Sequence, residues 1–90
     1  MDDATAHRID QINARSIEHV DAAIATVERV IEASRLLAQV PDHAETAERR
    51  IRDGERELAF LQAERAALEQ GDTAAALRIA EQFRSQRSRH

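Results

Sequence analysis

Four histidines, His7, His19, His43 and His90, are the residues of this chain with the widest chemical reach. His7 follows Asp3 by four positions and precedes Asp10 by three, so on a helix the three share one face. Imidazole and carboxylate at that spacing can hold a divalent cation. An exposed terminal turn supplies neither outer-layer hydrogen bonds nor a pocket, however, so no metal is expected there. His19 flanks an apolar stripe between Glu18 and Val20 and reads as packed or solvated, and His43 falls in the first turn of a helix.

The other devices of catalysis are missing from the pattern. No Glu-x-x-His pair is present for a di-metal bundle site, and there is no cysteine nucleophile. Serines and threonines lack a glycine-rich elbow, and the two glycines, Gly54 and Gly71, stand too far apart to form a phosphate loop. The expectation is a protein that is not an enzyme, with no catalytic residue, cofactor or small-molecule substrate.

One basic segment remains. Residues 78–90 carry four arginines against one glutamate, giving +3 in a chain of net charge −4. Arg84, Arg87 and Arg89 are therefore candidate contacts to nucleic acid or to an acidic protein surface. Only Phe83 is at hand to stack on bases, and cations at a helix C-terminus also complement the helix dipole. The dipole role is the simpler reading.

Composition narrows the class. Ninety residues without cysteine exclude a disulfide-stapled miniprotein. The sequence opens on polar, acidic residues and contains no apolar run of spanning length, so the expectation is a soluble cytoplasmic protein that does not enter a membrane. All 13 basic residues are arginine. Of the apolar residues 18 are alanine, leaving twenty larger ones, a thin supply for a lone monomer of this size.

Those twenty are laid out at helical spacing. In a first helix, residues 3–39, Ile17, Val20, Ile24, Val27 and Ile31 step by three and four without interruption by Gly or Pro. Asn13 and Ser16 break the stripe before Ile17. Val40-Pro41-Asp42 ends this helix, because proline removes a donor and forces the residue before it out of helical geometry. Asp42 is then expected to cap a second helix, residues 43–70, with Glu45 completing a capping-box-like pair.

The second helix places Ala44, Ala47, Ile51, Gly54, Leu58, Leu61, Arg65 and Leu68 on a heptad frame. Gly54 costs about 1 kcal/mol of helix propensity relative to Ala. The economical reading is a tolerated glycine, the alternative a close approach by another backbone. Arg65 is expected to cover the seam with its methylenes while its head reaches water or an acid. Gly71-Asp72 supplies a left-handed stop and a new cap for a third helix, residues 73–88, with Ala76, Ile79, Ala80 and Phe83 on one face.

Phe60, Glu69-Gln70-Gly71-Asp72 and Ala76-Leu77 together resemble the middle of a tetratricopeptide repeat, over about a quarter of the chain. Glu64 stands where that family has a small glycine and Ala67 where it has an aromatic residue, and there is one copy where at least three stack. The likeness is read as a shared helix–turn–helix solution.

The expected fold is all-α: a long antiparallel helical hairpin with a shorter third helix, resembling a three-helix bundle or coiled coil, and oligomeric. The third helix, about 24 Å long, cannot reach the Pro41 end of the hairpin. There the first helix displays Val30, Ile31, Leu36, Leu37 and Val40 against little more than Ile51 and two alanines. Neighbouring positions differ by about 100° around a helix, so Leu36 and Leu37 cannot both face the second helix, and some of Val30, Leu36 and Val40 are expected to be exposed. These six residues are the expected contacts for another protein or for a second copy in a homodimer. The function expected is a non-enzymatic interaction module: an adaptor, a chaperone-like protein or an assembly factor. The alternatives are a nucleic-acid-associated regulator using the arginine tail, and an inhibitor that mimics an acidic surface.

Overall fold

A computed structural model describes the backbone of residues 3–88 and the side chains of residues 17–86. Helix α1 is the 35-residue segment Asp3–Leu37. Among its described side chains Val20, Val27, Ile31 and Ser34 are buried, so the three-and-four spacing becomes one inward stripe. Ser34 ends that stripe with a hydroxyl, a polar group at a position the spacing gives to the core. The helix tightens as it ends: Ala38 N–H still donates to Ser34 O, but Gln39 N–H donates to Leu36 O and Val40 N–H to Leu37 O. Pro41 is the cause, since it holds Val40 in extended geometry (φ −92°, ψ 115°). The α-helix therefore stops two residues short of the expected boundary.

Pro41–His43 form a single 3-10 turn closed by His43 N–H donating to Val40 O, 3.0 Å. Helix α2 follows as Ala44–Glu69. The expected capping role of Asp42 is not observed: the extra turn moves the N-cap to His43, whose side chain makes no cap hydrogen bond, and leaves Asp42 one residue too early.

The second break is fully built. Gln70 closes α2, and Gly71 takes the left-handed conformation at φ 74°. Gly71 N–H donates to Leu68 O (3.0 Å) and Asp72 N–H to Ala67 O (2.9 Å), the paired bonds of a Schellman stop. Asp72 then accepts at Oδ1 from Ala75 N–H, 3.0 Å, and so caps helix α3, Thr73–Ser88. The α3 backbone stays helical through Ser88, past Phe83, where its apolar periodicity stops.

The described residues are thus all-helical, with no strand. Helix α1 packs along α2, and α3 packs on α2. From Asp21 to Arg35 on α1, the contacts on α2 fall back from Arg65 to Gly54 and Glu55. The core lies where all three helices meet: Val20 of α1, Ala67 and Leu68 of α2 and Ala76 of α3, walled by Ile17, Ile24, Leu61, Ala75 and Ile79. Phe60 and Phe83 extend it with ring centroids 5.3 Å apart. The molecule measures 60 × 24 × 16 Å. Its radius of gyration is 16.6 Å, whereas a compact domain of this length has about 12 Å.

Candidate interaction surface at the α1–α2 turn

Close packing of α1 on α2 decides which apolar side chains are left over. Gly54 is buried, and a Cβ added there would stand 2.7 Å from Ile31 Cγ1 and 3.2 Å from Ile31 Cδ1. The economical reading of Gly54 as merely tolerated is corrected: Ile31 rests on it. Nearby, Ala47 is completely buried. With Ala and Gly as its inward residues, this stretch of α2 draws in one narrow stripe of α1 and gives no cover to the flanks.

The six apolar candidates therefore separate. Val30, Leu36 and Val40 are exposed, at 48%, 65% and 44%. Leu37 and Ile51 are half-buried. Ile31, at 4% exposure, is not available to a partner, because the absence of a Cβ at Gly54 turns it into the interface between α1 and α2. One exposed apolar residue escaped the sequence reading: Leu77 on α3, 57% exposed, one position beyond buried Ala76. Its signal was available, since it falls off the Ala76, Ile79, Ala80 and Phe83 face.

Charged side chains frame this arrangement. Arg65 pairs with Asp21 of α1 and with Glu69 one turn along its own helix, which raises its pKa further. Arg35 of α1 reaches Glu55 of α2 at 3.8 Å. Glu64, half-buried on α2, has its carboxyl pushed above the ordinary range by desolvation, against the pull of His19 on α1 and Arg84 on α3. A groove between α1 and α2 is lined by Glu28, Ile31, Glu32, Arg35, Glu55 and Leu58.

Of the basic candidates, Arg84 is exposed and its charge acts on Glu64 of the same chain. The side chains of Arg87 and Arg89 lie outside the described residues, as do those of Asp3, His7 and Asp10. Among the described residues no group of three or more His, Asp or Glu is placed to hold a metal ion. No described helix is long and apolar enough to cross a membrane.

No family model, curated protein or solved structure matches this chain.

Proposed function

We propose that this chain is a non-enzymatic protein–protein interaction module, of the adaptor, chaperone-like or assembly-factor kind. In this reading α1 and α2 form an antiparallel hairpin that acts, by self-association among other contacts, through the apolar surface near its turn. The observation that carries it is the exposure of Val30 and Leu36 on the turn-ward half of α1 and of Val40 in the turn itself.

The test is Leu36→Glu, a change at an exposed position that leaves the helix pair intact. Mass in solution, by light scattering with refractive-index detection, and capture of binding proteins are compared with the parent chain at equal helicity. The variant is expected to lose association or capture. A parent chain that is monomeric, captures nothing and behaves as the variant does overturns the proposal.

A further inference from the structure

Helix α1 carries a second seam. Beside the buried stripe, Ala23, Thr26, Val30, Ala33 and Leu37 repeat at three-and-four spacing, and Val40 follows three positions on. Thr26, Val30, Ala33 and Val40 are exposed, and Ala23 and Leu37 are half-buried. None of the six is charged, in a chain where 33% of residues are. Thr26, the one polar member, has its hydroxyl already donated to Ala22 O at 3.0 Å, so it does not need water there.

We infer that this seam is covered by a second copy of the chain, α1 packing antiparallel on α1 about a twofold axis between Val30 and Ala33. The inference rests on the interaction reading above and names its partner. The helical part of the seam is self-complementary in one antiparallel register. Val30 then meets Ala33 of the second copy and Leu37 meets Thr26, so each larger side chain faces a smaller one and each pairing occurs twice by symmetry; Val40 lies past the helix end in extended geometry, at the edge of the seam. In the same register Leu36 lies opposite Arg29 of the second copy, whose methylenes can cover it while the guanidinium stays in water. Shifting the register by one heptad toward the turn puts Val30 on Val40 and leaves Ala23 and Thr26 with nothing to pack on. A parallel pairing sets Val30 on Val30 and Ala33 on Ala33, alternating overfilled and underfilled layers.

The experiment uses the full chain. Light scattering is expected to give twice the 10.1 kDa of one chain, falling to one chain on Val30→Glu or Ala33→Glu with helical circular dichroism retained. Because the sequence has no cysteine, single thiols report the register: a mixture of Val30→Cys and Ala33→Cys chains should oxidise mainly to the mixed disulfide. A monomeric parent overturns the pairing, and so does a dimer that survives both glutamate variants or crosslinks Val30→Cys preferentially to itself. If the parent is monomeric yet captures another protein in a Leu36-dependent way, the interaction reading stands and only the second copy is rejected. If it does neither, both fall.

Discussion

Ile31 of α1 lies over Gly54 of α2 and fills the space that a Cβ there would enter, 2.7 Å from Ile31 Cγ1. At this position α2 gives up an alanine's helix propensity and α1 gains room for Ile31.

Gly54→Ala should therefore destabilise the fold. The substitution gains about 1 kcal/mol of helix propensity but forces the helices apart or Ile31 off its rotamer, at about 1–3 kcal/mol. A net loss of about 1 kcal/mol in urea denaturation is expected. In an Ile31→Ala background the clashing Cγ1 is absent, and the same change at Gly54 should become stabilising. Equal effects of Gly54→Ala in the two backgrounds would show that the contact does not limit the helix spacing.

Glu64 gives the protein a pH dependence of defined sign. Its carboxyl holds its proton more tightly folded than unfolded, because burial outweighs the attraction of His19 and Arg84. Its contribution to stability is complete below the ordinary carboxylate value and is lost as pH rises from there through the raised folded value. Glu64→Gln cannot ionise, so it should match the parent in acid and exceed it at neutral pH. Thermal unfolding followed by circular dichroism across that range checks this, and a variant less stable at neutral pH than in acid, relative to the parent, contradicts it.

Asp72 and Gly71 can be separated by substitution. Asp72→Ala removes the acceptor for Ala75 N–H and should cost about 1 kcal/mol. Gly71→Ala meets no steric neighbour but must hold φ at 74° with a Cβ in place, costing about 1–2 kcal/mol. Gly71→Asn should cost less than Gly71→Ala, since asparagine tolerates that region. Denaturant midpoints at constant m-value provide the measurement.

Arg65 should divide into two parts. Arg65→Met keeps an unbranched stem over the seam and removes only the pairs with Asp21 and Glu69, so its loss in melting temperature should vanish at high salt. Arg65→Ala also removes the stem and should stay less stable than Arg65→Met at every salt concentration. Identical behaviour of the two variants would deny the stem a packing role.

Helix boundaries were legible because their causes are local. Pro41 and Gly71 break the chain for reasons contained in one or two residues, and the three-residue separation of Asp72 and Ala75 is a capping distance in any helix. Asp42 misled because a proline can start a 3-10 turn as readily as an α-helix, and the choice moved the cap by one residue. What could not be read was anything set by register between helices. Gly54 looks the same in sequence whether or not Ile31 lies over it. Likewise, half of the second seam on α1 is written in alanine and threonine, which weigh little in an apolar count until the helix faces are known.

Because α2 packs on both other helices, all the main helix pairings join elements adjacent in sequence. The order of formation is then not fixed by topology: the α1–α2 corner can close before α3 exists, or the α2–α3 corner can close while α1 is still unformed. Each closure spans only a short turn, so neither waits on a distant segment, and folding belongs in the microsecond-to-millisecond range of low-contact-order helical proteins. On a ribosome the longer pair emerges first, and its exposed flank is on offer before the last helix has been made.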